Sequence, residues 1–268
     1  MENKRYAVLI DADNTGSKYI GVILDEVSKK GVATIKRIYG DWTNPAISPW
    51  KETNLEYSIT PIQQYSYTVG KNSTDSAMII DAMDILYSEK VDGFCLVSSD
   101  SDFTRLAIRL REAGMDVIGM GREQTPQPFV KACADFKFID VLFEDPTSDK
   151  SDKTETDKSD SQAEKGTTSK TSLEEIRKTT ISIIYTESND DGWIPASDVG
   201  NGLKKRYSDF DPRNYGFKKL VDMLEHFKDC IDVDKRKDTN NSLENALIVY
   251  VRIKERRAKK KSSAKSAE

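Results

Sequence analysis

The chain has 268 residues, 37% hydrophobic and 32% charged, which suits two modest domains with heavily charged surfaces. Three widely spaced cysteines (Cys95, Cys133, Cys230) without a CxxC exclude a disulfide framework and a zinc ribbon, and point to a reducing cytoplasm. No run approaches the ~18 apolar residues of a membrane span, and the opening MENKRYAVLIDADN lacks the apolar stretch of a secretory signal. The net charge of -4 is unevenly spread: residues 1–145 hold 16 basic and 22 acidic side chains, whereas residues 254–268 hold 7 and 2. That basic tail reads equally as a contact for nucleic acid or an anionic surface and as a solubilising end. The single histidine, His226, falls in the apolar-periodic LVDMLEHF, where a helix-end or core-edge position is expected, so imidazole catalysis is nearly excluded.

In chain order, YAVLID (6–11) is a short apolar run of the kind a buried parallel strand requires. Residues 18–30 have helical spacing (Ile20, Ile23, Leu24, Val27) and close at Gly31. Strand 33–39 follows, then a weaker helix at 50–57 behind Pro45 and Pro49, and strand 59–64. A strong helix is expected at 74–88, with Ile79, Ile80, Met83, Leu86 and Tyr87 on its inner face and Ser73 or Thr74 as cap. On that spacing Asp81 projects about 160° from a stripe centred on Met83, a solvated or ion-paired position. Strand 94–97, helix 103–113 ending at Gly114, strand 115–120, a short helix at 127–134 and strand 137–141 complete the series. Repeated strand–helix units imply a parallel sheet covered on both faces.

Residues 146–171 contain no large apolar side chain and read as a disordered linker. Beyond it, Ser172-Leu-Glu-Glu175 is a capping box for a helix with Ile176, Thr180, Ile183 and Ile184 inward. A second helix is expected over 195–207. A third starts at Asp211 with Pro212 in its first position and carries Phe217, Leu220, Val221, Leu224 and Phe227. Strands near 230–234 and 246–251, joined by the turn-rich KDTNNS, complete a small winged helix.

Four aspartates fall where parallel sheets form sites, beyond the carboxyl ends of strands where strand order reverses. Asp11 ends the first strand, Asp75 opens the long helix, and Asp100 and Asp102 follow the FCLV strand. Each has a bland reading alone: Asp75 complementing the helix dipole, Asp100 or Asp102 as an N-cap, and Asp13 and Asn14 forming a turn. Gathered together they would repel, and a hard divalent cation such as Mg²⁺ or Mn²⁺ removes that penalty. Metal-assisted hydrolysis of a phosphodiester is the chemistry these residues best support. Lys71, four residues before Asp75, reads equally as a point charge for a phosphate and as a loop lysine screening Asp75.

LIDADN, KNSTDSAMIIDAMDIL and LVSSDSDF together resemble the motifs of NYN domains of the LabA-like group, within the PIN-like nuclease superfamily, over roughly residues 4–143. The resemblance implies a PIN-like three-layer α/β/α sandwich with a parallel sheet. It also implies a metal-dependent ribonuclease site of Asp11, Asp75, Asp100 and Asp102, with Asn14 and Ser98 as supporting polar groups. Similarly, DGWIPASDVGNGL and FDPRNYGFKKL resemble the OST-HTH/LOTUS domain, which implies RNA binding or protein docking. Candidate RNA contacts are Lys204, Lys205 and Arg206 at one helix end and Lys218 and Lys219 on the third helix. Trp193 and Tyr215 are candidate base stackers, although aromatics in such motifs are more often core.

The expected organisation is thus a nuclease domain over 1–145, a linker over 146–171, a winged helix over 172–253 and a basic tail over 254–268. The leading functional reading is a cytoplasmic metal-dependent ribonuclease with RNA as partner. The alternatives are a non-catalytic RNA-binding regulatory adaptor and a protein-interaction scaffold that docks a partner through the LOTUS domain. No membrane partner is expected, and a homo-oligomer is compatible with the sequence.

Overall fold

The computed structural model describes residues 3–65, 73–143, 171–237 and 247–254. Lys71, nearly all of the expected linker, the KDTNNS turn after Lys237 and all but the first residue of the basic tail lie outside them. Among the described residues no helix is long and apolar enough to cross a membrane. The chain forms two compact units, one of Met1–Thr171 with Lys204–Tyr215, the other of Ser172–Leu203 with Gly216–Glu268.

The first unit alternates strand and helix: β1 (Arg5–Asp11), α1 (Ile20–Ser28), β2 (Val32–Gly40), α2 (Trp50–Glu56), β3 (Thr60–Gln63), α3 (Ser73–Tyr87), β4 (Gly93–Val97), α4 (Thr104–Glu112), β5 (Asp116–Gly121), α5 (Gln127–Ala132), β6 (Asp135–Phe138) and α6 (Ile139–Phe143). The strands form one sheet in the order β3-β2-β1-β4-β5-β6, every pair parallel. Strands buried on both faces need apolar residues at successive positions, which explains runs such as YAVLI and FCLV. Ala7, Leu9, Phe94 and Leu96 face α3, α4 and α5, while Tyr6, Val8, Ile10, Cys95 and Val97 face α1, α2 and α6. The result is the three-layer α/β/α sandwich expected for this stretch.

Two local expectations need correction. The last strand stops at Phe138, and residues 139–143 turn into α6, which buries Ile139. On α3 the buried apolar positions are Met78, Ala82, Ile85 and Leu86, whereas Ile80 and Tyr87 are 63% and 69% exposed. Apolar side chains on both sides of this helix shift the stripe inferred from spacing. With the stripe rotated, Asp81 lies on its flank and meets Arg37 and Tyr39 of β2.

Close approach sets the character of β5. A Cβ built on Gly119 would meet the Phe136 ring at 2.4 Å and Cys133 Sγ at 2.5 Å. Gly119→Val is therefore expected to cost about 3 kcal/mol through overpacking, measured as a lowered midpoint in urea. An unchanged midpoint would show that the ring and the thiol make room.

The segment Lys204–Tyr215 adds a buried charge to the first unit. Lys137 Nζ lies 3.0 Å from Asp211 Oδ2, and Asp211 also accepts from the Arg213 guanidinium at 2.8 Å. Against the cost of burial, these two cations hold the Asp211 carboxyl well below its ordinary range.

In the second unit α7 (Leu173–Glu187) is capped by Ser172 Oγ, which accepts from Glu175 N at 3.2 Å. Ile176, Thr180, Ile183 and Ile184 are buried, as the spacing requires. Then come β7 (Ile194–Pro195), α8 (Ala196–Arg206), α9 (Leu220–His226), β8 (Ile231–Lys237) and β9 (Leu247–Ile253), with an antiparallel sheet in the order β7-β9-β8. Helices and a small sheet fit the winged-helix expectation. The third helix does not start at Asp211: residues 212–215 form a 3₁₀ turn, Gly216 adopts φ +81°, and α9 begins only at Leu220. A left-handed residue interrupts a helix, and glycine takes that conformation readily.

Candidate metal centre

The chain leaves β1 toward β2 and β3 on one side, and returns through α3 to place β4 on the other. Strand order therefore reverses between β1 and β4, and the crevice beyond their carboxyl ends is where open parallel sheets hold ligands. Asp11 stands at the end of β1, and Ser98, Asp100 and Asp102 follow β4. The first turn of α3 brings in Asp75.

Asp75, Asp100 and Asp102 each place a carboxylate oxygen within 4.8 Å of the other two. Asp100 also caps the 3₁₀ turn after β4, its Oδ1 accepting from Asp102 N at 2.9 Å. The capping reading of this residue is thus realised, but it occupies one oxygen and is compatible with a second role. Asp11, expected with them as a metal ligand, is not among the three carboxylates of this cluster and is held differently, at 1% exposure. Its Oδ1 accepts from the backbone N–H of Asp13 at 3.0 Å and of Asn14 at 3.3 Å. Its Oδ2 accepts from Asn14 Nδ2 and from Ser98 Oγ, both at 2.7 Å. Ser98 Oγ in turn accepts from Asp100 N at 3.0 Å, so one hydroxyl ties the β1 carboxylate to the β4 loop. Asn14 and Ser98 thus both donate to the Asp11 carboxylate.

The electrostatics fit a cation. Burial, and then the charges of Asp11, Asp100, Asp102 and Asp13, push the Asp75 carboxyl up from 3.8 to about 6. Burial raises Asp11 as well, outweighing the hydrogen bonds that favour its charged form. A set of hard carboxylate oxygens under mutual repulsion suits a divalent oxygen-seeking ion. Because the folded state holds the Asp75 proton more tightly than the unfolded chain, its stabilising contribution is complete below about pH 4 and lost as pH rises through about 6. Metal-free protein is accordingly expected to lose thermal stability across that interval. Millimolar Mn²⁺ should restore it at pH 8 and have little effect at pH 5. Melting curves with EDTA and with Mn²⁺ at both values test this, and equal shifts at the two pH values would contradict it.

Other features of the site were not legible in sequence. Thr15 is buried behind Asn14, and its carbonyl accepts from Trp50 Nε1 at 3.1 Å, which braces the loop after β1 from α2. Ser99 Oγ accepts from Arg122 N at 2.9 Å and joins the β4 loop to the end of β5. Only the polar character of these loops hinted at such bonds.

The candidate nucleic-acid contacts lie on several elements. Lys204, Lys205 and Arg206 are exposed in the last turn of α8. Lys218 and Lys219 are exposed but lie in the turn before α9, not on it, and the Lys219 N–H donates to Asp222 Oδ2 at 3.1 Å. Trp193 is half-buried, with the Arg236 and Arg252 guanidinium carbons 4.6 and 4.7 Å from its ring centroid. Tyr215 is also half-buried, its ring 6.4 Å from that of Phe210. Both aromatics are thus engaged with neighbouring side chains. His226 is the last residue of α9 and packs 5.2 Å from Phe217, a helix-end position.

Comparison with known proteins gives two family matches. A model described as the NYN domain matches residues 5–142, and one described as the OST-HTH/LOTUS domain matches residues 169–243. No curated protein matches the chain. Among solved structures, a protein of unknown function from Vibrio parahaemolyticus is 19% identical, with 53% of this chain and 96% of that one covered at a TM-score of 0.45. An uncharacterized protein from Nitrosomonas europaea is 27% identical, with 40% of this chain and 95% of that one covered at a TM-score of 0.28.

Proposed function

Because the chain belongs to the NYN domain family and carries an OST-HTH/LOTUS domain after it, we propose that it is a metal-dependent ribonuclease whose second domain holds the RNA. NYN domains are nuclease-like, and OST-HTH/LOTUS domains bind RNA. The observation that carries the proposal is the convergence of Asp75, Asp100 and Asp102 at the point where strand order reverses. In this reading those three side chains hold Mg²⁺ or Mn²⁺. Asp11, fixed by Asn14 and Ser98, supplies negative charge beside them and orients the β4 loop through the Ser98 hydroxyl. A bound ion of this kind supplies an activated water and neutralises charge on the attacked phosphodiester. Lys71, outside the described residues, is assigned the role of a phosphate contact. Lys204, Lys205, Arg206, Lys218 and Lys219 are assigned to the RNA backbone, as point charges that strengthen binding in a salt-dependent way. The engaged ring of Trp193 makes it a weaker base platform than the lysines are phosphate contacts. The motif set LIDADN to LVSSDSDF supports the LabA-like group, and the cysteine usage supports a cytoplasmic setting.

The test is incubation of the full chain with end-labelled single-stranded RNA in Mn²⁺, Mg²⁺ or EDTA. Cleavage with either metal and none in EDTA is expected. RNA binding without turnover under any metal would replace the nuclease with an RNA-binding adaptor.

A further inference from the structure

The carboxylates of the proposed site come from more than one element, and Asp75 alone is carried by an α-helix, α3. The contacts that fix that helix against the sheet therefore fix Asp75. Met78, Ala82 and Ile85 bury its inner face, but apolar attraction is non-directional. A polar contact at Asp81 adds direction. The Arg37 guanidinium and the Tyr39 hydroxyl both donate to the Asp81 carboxylate, one to each oxygen. Both donors belong to β2, and Tyr39 is fully buried. Charge-assisted bonds converging from a rigid strand are short and directional. Asp81 lies six residues along α3 from Asp75, roughly 9 Å down the axis and about 120° around it. A clamp at that offset opposes translation and rotation together. Tyr39 is also the ladder partner of Asp11, so the clamp refers α3 to the rung from which the β1 carboxylate leaves the sheet.

From this geometry we infer that Asp81, held by Arg37 and Tyr39, is a positioning residue that sets the place of Asp75 in the metal centre. It touches neither ion nor substrate, and it acts through the helix that both acids share. The inference rests on the proposed metal site and adds to it a residue outside the acidic cluster. Outer residues that orient metal ligands cost about 10–100-fold in metal affinity or activity when removed.

The experiment measures Mn²⁺ affinity of the full chain by isothermal titration calorimetry, independent of RNA cleavage, for wild type, Asp81→Asn, Tyr39→Phe and Ile85→Val. Ile85→Val loosens the same helix through apolar packing alone and shows how far general destabilisation moves the dissociation constant. The expected result is a constant raised about tenfold in Asp81→Asn and by a smaller factor in Tyr39→Phe, with Ile85→Val near wild type. Tyr39→Phe removes only a hydroxyl and keeps the ring in the core, so it reports even if Asp81→Asn folds poorly. If wild type binds Mn²⁺ and both variants track Ile85→Val, the positioning role is overturned while the metal site stands. If wild type itself binds no Mn²⁺, the metal-centre reading fails and the inference falls with it.

Discussion

Asp100→Asn is expected to lower metal-dependent RNA cleavage by about 10³-fold, equivalent to about 4 kcal/mol of lost charge stabilisation. The same substitution should leave the fold intact, because asparagine is as good a cap as aspartate for the turn that opens at this position. It also removes one of the charges that push Asp75 up. In EDTA at pH 8 the variant is therefore expected to melt no lower than wild type. This opposition of outcomes, activity lost and metal-free stability kept, separates a metal ligand from a structural acid. Initial rates on labelled RNA together with melting curves provide the check. Cleavage at the wild-type rate would remove Asp100 from the site.

Phe103→Ala should have the largest effect on stability. The ring is fully buried, 6.5 Å from Phe129, which in turn stacks edge-on to Phe136 at 5.7 Å. Emptying such a position costs about 3–5 kcal/mol, from lost transfer energy and the cavity left behind. Phe103 also immediately follows Asp102 and anchors the turn that carries it, so the loss reaches the acids. Urea unfolding is expected to show a lowered midpoint with an unchanged slope. Mn²⁺ should recover part of the loss at pH 8. A change below about 1 kcal/mol would mean that the aromatic cluster collapses to fill the gap.

The sequence carried the sheet well because its strands are buried on both faces and must read as unbroken apolar runs between polar ends. YAVLID and FCLV have no other good reading, and Asp11 and Asp100 lie where those runs stop. Helix α3 was harder. Its length was plain, but Ile80 and Tyr87 are apolar and exposed, so counting apolar residues turned the helix the wrong way; the ion-paired reading of Asp81 holds, with partners the sequence did not name. Further along the chain, DPRNYGF has a sound helix start, yet Gly216 in the left-handed region breaks it, and a left-handed glycine leaves no mark in the apolar spacing. The contacts of Trp193 join residues more than forty positions apart, which no local pattern encodes.

The hydroxyl bridge from Ser98 to Asp11 spans 87 positions of sequence, and β1 acquires its second neighbour only when β4 docks. A growing polypeptide that has emerged only as far as α3 already contains Asp11 and Asp75 but has nothing to gather them around. On the proposed function, a half-made copy at the ribosome, surrounded by messenger and ribosomal RNA, would be harmless to its own template, because competence would arrive only with the fourth strand and the turn behind it.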